Sequence, residues 1–168
     1  IGATAAMLSK NFGISDPEDM KAALARMTGM GKSGAFELKN MATEFGGLGS
    51  AASRFGMKGS KGAMQIAGLA QLSRESAGSG AEAATGTEAM LRQLVVNEKK
   101  IKSLTGTDVF TDKTKTKGRD IEDVLVGMIS GAKGNQNTLT SILGDQGMVG
   151  ASKLISTFND AANATRTG

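Results

Sequence analysis

A chain of 168 residues with a formal net charge of +4 is long enough for one domain with a buried core. It contains no Cys and no His, which excludes disulfides, thiolate and imidazole metal sites, Ser–His–Asp triads and Cys–His dyads. With 24 Gly, 10 Met, 6 Phe and neither Trp nor Tyr, the core has to come from Leu, Ile, Met and Ala, Met filling irregular gaps.

The elements read as short helices divided by glycine. Residues 3–11 form the first, closed by Gly13. Asp16 then caps a second helix, with Pro17 at its first position, Glu18 and Asp19 in its first turn, and Met20, Ala23, Leu24 and Met27 at helical spacing up to about Thr28. The stretch "GMGKSGAF" follows, and Gly31-Lys32-Ser33 matches the tail of a phosphate loop. The match fails in two ways: Arg26 stands where the pattern requires glycine, and the preceding segment is a helix, not a buried strand. The favoured reading is a turn between helices, with Gly29 and Gly31 ending one and Ser33 capping the next.

That next helix carries Phe36, Leu38, Met41 and Phe45 and stops at Gly46-Gly47. Residues 48–54 make a brief helix ended by Gly56. A helix over 60–76 starts at a Ser60 cap, with Gly62 and Gly68 tolerated inside it by close packing of another helix. The longest segment is 80–104, with Thr87, Leu91, Leu94 and Val95 on one face and Gly86 as a kink, or as a restart capped by Thr87.

Residues 105–120, "TGTDVFTDKTKTKGRD", change character: they are Thr-rich and alternate around Val109 and Phe110. They read as a short hairpin or extended loop with its tip at 112–116. Lys113, Lys115 and Lys117 are either an anion-binding strip or, the favoured reading, a solvated edge guarded by lysine. Asp120 caps an amphipathic helix with Ile121, Val124, Leu125, Met128 and Ile129 on its apolar side. Leu139, Ile142 and Leu143 mark a short helix ending at Gly144; Ala151, Leu154, Ile155 and Phe158 mark the last one. The polar tail from 159 is expected to lose order or to lead into a following segment.

The fold class is therefore mainly α: a bundle of short glycine-separated helices with at most one small β-hairpin near residues 107–119. One domain is expected, made of a helical first part over 1–104, the hairpin or loop over 105–119, and a helical second part over 120–168. The acidic groups Asp16/Glu18/Asp19 and Asp120/Glu122/Asp123 stand in first helical turns, where the helix dipole stabilises negative charge, so capping accounts for them without catalysis. No catalytic, cofactor-binding or metal-ligating residue is assigned, and the chain is read as a non-enzyme. Each half, divided at Asn97, carries 10 basic and 8 acidic residues, so there is no concentrated basic arm of the kind a dedicated nucleic-acid binder shows. Apolar runs such as "MQIAGLAQL" at 64–72 fall far short of the roughly 20 residues that span a bilayer. A start at Ile1 suggests a piece of a longer polypeptide.

In order and spacing, several short motifs are similar to one family. They are Phe36-Glu37-Leu38, Ala67-Gly68-Leu69-Ala70, Ala81-Glu82-Ala83-Ala84-Thr85, Asp108-Val109-Phe110, Asp120-Ile121 and Leu143-Gly144. From about Asn11 to Phe158 the chain resembles the conserved core region of bacteriophage tail tape measure proteins. Proteins of that family are usually several hundred residues or more, so this chain would be a fragment of one.

The resemblance implies a structural component of a phage tail, acting in tail assembly, length determination and genome delivery. Its implied partners are tail tube and tail-tip or baseplate hub proteins, tail assembly chaperones and further copies of itself, expected as a trimer. Its implied locations are the virion, in the tail lumen or tip, and the host cytoplasm during assembly. No sequence-specific nucleic acid and no cofactor are expected. Two alternatives stand beside this: a membrane-active module released at infection, and, more weakly, a nucleotide-binding enzyme using Lys32 and Ser33. The 24 glycines argue against an unbroken measuring rod and for a compact docking or plug domain.

Overall fold

The computed structural model describes residues 2–33, 47–49, 51–114 and 117–167. Its helices are α1 (Gly2–Phe12), α2 (Pro17–Ser33), α3 (Gly59–Arg74), α4 (Gly80–Val96), α5 (Glu98–Thr105), α6 (Ile121–Gly131) and α7 (Gln136–Thr167). Short helical stretches at 47–49 and 51–53 precede a turn closed by Gly56, whose φ is +65°. The fold is mainly α, as composition and periodicity predict.

Capping sets several boundaries. Asp16 Oδ2 accepts from the Asp19 N–H at 3.0 Å, and Asp120 Oδ1 from the Glu122 N–H at 3.0 Å, so both acidic groups start helices as expected. Gly13 takes the positive φ that ends α1. The apolar side of α6 is buried at all five expected positions. Its end is a left-handed reversal through Lys133 (φ +54°) and Gly134 (φ +66°), the Gly134 N–H donating to the Ile129 carbonyl at 2.9 Å.

Other boundaries fall elsewhere. α2 runs on through Gly29, Gly31, Lys32 and Ser33, so these residues are not the expected turn and Ser33 does not open a helix. The expected helix with Phe36, Leu38, Met41 and Phe45 lies outside the described residues. α3 begins at Gly59 after Lys58, so Ser60 is not its cap. What packs against Gly62 is the backbone of Met57, in the preceding turn, rather than another helix; a Cβ there would stand 2.6 Å from the Met57 carbonyl carbon. α4 passes through Gly86 without a kink, and the break in 80–104 comes at Asn97. Thr87 is no cap: its hydroxyl donates back to the Ala83 carbonyl at 2.8 Å. The tail from 159 remains helical to Thr167.

Residues 107–119 form one antiparallel bridge, Phe110 with Gly118, flanked by Thr111 N–H to Lys117 O and Arg119 N–H to Val109 O, both 2.8 Å. The expected hairpin is thus reduced to a single rung. α7 is two helices in series, because Gly144 adopts φ 70°, ψ 172°, a region only glycine enters readily. The break at Gly144 is where the sequence places it.

Buried side chains from Leu8 to Ile155 make one apolar cluster, with Phe12, Leu48, Ile66, Met90, Leu91 and Leu94 among its largest members. At its centre α4 crosses α7 at backbone contact. A methyl on Gly150 would stand 2.6 Å from the Gly86 carbonyl oxygen, and one on Gly86 would meet Val149 Cγ1 at 3.0 Å. Such crowding costs about 1–3 kcal/mol when side-chain atoms are added. Gly150→Ala is therefore expected to lower the unfolding free energy by that amount, seen as a lower urea midpoint at unchanged m-value. Lys133→Gly, which relieves a left-handed lysine, is expected to raise stability by about 1 kcal/mol. Equilibrium unfolding followed by circular dichroism reads both.

Candidate functional site

Gly31-Lys32-Ser33 fails as a phosphate loop on position as well as pattern. The triplet continues α2, helical from Pro17. A phosphate loop works because free backbone N–H groups at a helix start face the anion, whereas N–H groups within a helix are already bonded to carbonyls one turn back.

The loop over 106–119 meets the start of α3 at a shallow cleft of about 170 Å³ lined by residues including Met57, Lys58, Lys61, Gln65, Arg119 and Asp120. Asp120 is its organising group. Besides capping α6, its carboxylate accepts from Gln65 Nε2 at 3.2 Å and lies 3.9 Å from Lys61 Nζ. One side chain thus ties α6 to α3. Arg119 donates from Nη1 to the Asp108 carbonyl at 3.1 Å, so it braces the loop rather than standing open to a ligand. Asp108 in turn pairs with Lys102 Nζ at 3.1 Å.

Lys113 and Lys117 are exposed and Lys115 lies outside the described residues. The loop is shaped by the Asp112 carboxylate: the Lys117 N–H donates to its Oδ1 at 2.9 Å, and Thr114 Oγ1 bonds its other oxygen. Neither an anion strip nor an edge strand forms from the described lysines. Among the described residues no group of three or more acidic side chains is placed to hold a metal ion, and no helix is long and apolar enough to cross a membrane.

A buried polar centre escapes the sequence reading. Ser73 on α3 and Thr87 on α4 are buried, with their hydroxyls 2.7 Å apart, and Ser73 Oγ is 2.9 Å from the Leu69 carbonyl and 3.2 Å from the Gly150 carbonyl. Among the described residues no carboxylate bonds either hydroxyl, and the chain has no imidazole, so no activating base is placed here. The pair satisfies polar atoms where three helices meet. The available signal is the spacing of Gly147 and Gly150, one turn apart, opposite Gly86; it identifies a close crossing, not the hydroxyls.

Two kinds of site are therefore present: caps and ties that fix helix ends, and a glycine crossing that fixes helix distance. Both are the apparatus of packing. The family model described as "Phage-related minor tail protein" matches residues 1–147. No curated protein and no solved structure gives a match.

Titration of the chain with ATP or GTP is expected to produce no binding heat, with Lys32→Ala indistinguishable from the parent. Saturable binding abolished by Lys32→Ala would reinstate the phosphate-loop reading.

Proposed function

The chain belongs to the phage-related minor tail protein family, which makes it a structural component of a phage tail, and from that premise we propose that it is a segment of a tape measure protein. In this reading the parent protein acts in tail assembly, length determination and genome delivery. This segment is a docking or plug domain in the tail lumen or at the tip. Its partners are tail tube, tail-tip and chaperone proteins and further copies of itself, three in a closed ring.

What carries the docking role is the single apolar cluster that draws in residues from Leu8 to Ile155. A ruler measures by extension: 168 residues in one straight helix would span about 250 Å at about 1.5 Å per residue. Here the helices double back, and the longest unbroken described piece is the 145–167 part of α7, about 35 Å by the same rise. A domain that folds on itself contributes a contact surface and a cross-section, not length. The match over residues 1–147 supports the tail role, and the order of the motifs from Phe36 to Gly144 supports the tape measure assignment.

An insertion separates docking from measuring. Fourteen helix-forming residues placed between Lys113 and Thr114, at the exposed loop tip, leave the core intact. If the segment docks, phages carrying the insertion assemble tails of parental length. A measuring segment would lengthen them by about 20 Å. Electron microscopy of tail populations reads the difference, and lengthened tails would reject the proposal. Imaging of intact tails is expected to place this domain in the lumen or tip.

A further inference from the structure

α5 is a weakly covered helix: of its eight residues only Ile101 is buried. It carries Lys99 and, at its end, Leu104, which is 46% exposed; just before it, α4 ends on Val96, 65% exposed. α6 has the opposite character. Its outer side carries Glu122, Asp123 and Val126, the last 63% exposed. Val96, Leu104 and Val126 are the exposed large hydrophobics among the described residues. Lys99, Glu122 and Asp123 make no ion pair among the described residues.

Scattered exposed aliphatics are ordinary on a protein surface. Here Val96 lies three residues from Lys99, and Val126 three and four residues from Asp123 and Glu122, so the two neighbourhoods differ in sign. α6 against another α6 would set acid on acid, and α5 against α5 would set lysine on lysine. Only the unlike contact covers the aliphatic side chains and neutralises the charges together. We propose that the α6 face, through Glu122, Asp123 and Val126, docks on the α5 end of a second copy of this chain, through Val96 and Lys99. Such a contact is heterologous. Every copy keeps one free face of each kind until rotation closes the ring. The inference rests on the trimer reading above for closure at three copies, and it assigns the surfaces that reading leaves open.

Analytical ultracentrifugation of the 168-residue chain over a concentration series, at low and high salt, provides the test. Expected are a concentration-dependent oligomer that weakens as salt screens the pairs, and loss of association in Val126→Asp. Glu122→Lys with Asp123→Lys, and separately Lys99→Glu, are each expected to weaken association on the order of tenfold. Because these positions are exposed, helical circular dichroism should stay at the parental level. Mixing the two charge-reversed variants should give more association than either shows alone, a signature of an unlike-face contact, although a ring of three keeps one like-variant contact. A chain that stays monomeric at all concentrations would overturn the proposal. So would an oligomer indifferent to Val126→Asp and to both reversals, although that outcome would leave the trimer reading standing on another surface. The tail-length and imaging results are independent of all of these.

Discussion

The backbone contact between α4 and α7 is the constraint from which the rest of the packing follows. Gly86 in the interior of α4 costs about 1 kcal/mol of helix propensity relative to alanine. The loss is offset by the close approach it permits: a Cβ on Gly86 would crowd Val149 Cγ1 at 3.0 Å and the Gly150 nitrogen at 3.1 Å. Helices this close leave no room for bulky side chains at the crossing, and the carbonyls there are shut off from water. Ser73 and Thr87 answer that second problem. Each hydroxyl has one proton and two lone pairs. If Thr87 donates to Ala83, the single Ser73 proton serves one of three acceptors at a time: the Leu69 carbonyl, the Gly150 carbonyl or Thr87 Oγ1.

The breaks at Gly144 and Asn97 are two halves of one device. Were 136–167 a straight helix, the apolar stripe of Leu139, Ile142 and Leu143 would lie about 130° around the axis from that of Met148, Ala151, Leu154, Ile155 and Phe158. Both stripes could not face one core. The turn at Gly144 brings them back into phase, but it ends a helix and orphans its last carbonyls. Asn97 Nδ2 donates to the Ile142 carbonyl at 2.6 Å, and Lys100 Nζ to the Ser141 carbonyl at 2.8 Å. An amide and an ammonium at a helix C-terminus suit both the hydrogen-bond deficit and the dipole. The residue that interrupts the α4–α5 run is thus the one that caps the break in α7.

This pairing shows why some of the fold was legible in the sequence and some was not. Signals that act within one turn were readable: the Asp16 and Asp120 caps, the closing Gly13, the five buried positions of α6, the stop at Gly144. Asn97 was opaque because its partner is 45 residues away, and local periodicity runs straight through it. Gly86 misled for the same reason: propensity reads glycine as a weak point, while the crossing reads it as the point of contact. The polar segment after Phe158 was expected to lose order, yet Ala161, Ala162 and Ala164 keep it helical by propensity, without burial. For the candidate site, composition narrowed the chemistry, and Arg26 and the preceding helix made a phosphate loop the weaker reading. The hydroxyl pair had no sequence signature at all.

Function reads through the same physics. A chain without His or Cys, whose buried hydroxyls serve only carbonyls and each other, spends its polar groups on fixing helix ends and helix distances. The core is correspondingly built for shape: small residues at the crossing, Leu, Ile and Met around it, and Phe12 and Phe55 as the buried aromatic side chains among the described residues. Packing of this kind fixes where the described helices sit. In the proposed docking, specificity comes from the outer face, through the sign of charge and the exposed aliphatic side chains. The tie from Asp120 through Gln65 matters here, because it orients α6, and with it the acidic face, on the same frame that positions α5. An assembly module needs that rigidity more than it needs a cavity: contacts repeated around a ring multiply any error in angle, and a frame locked by backbone contact admits little.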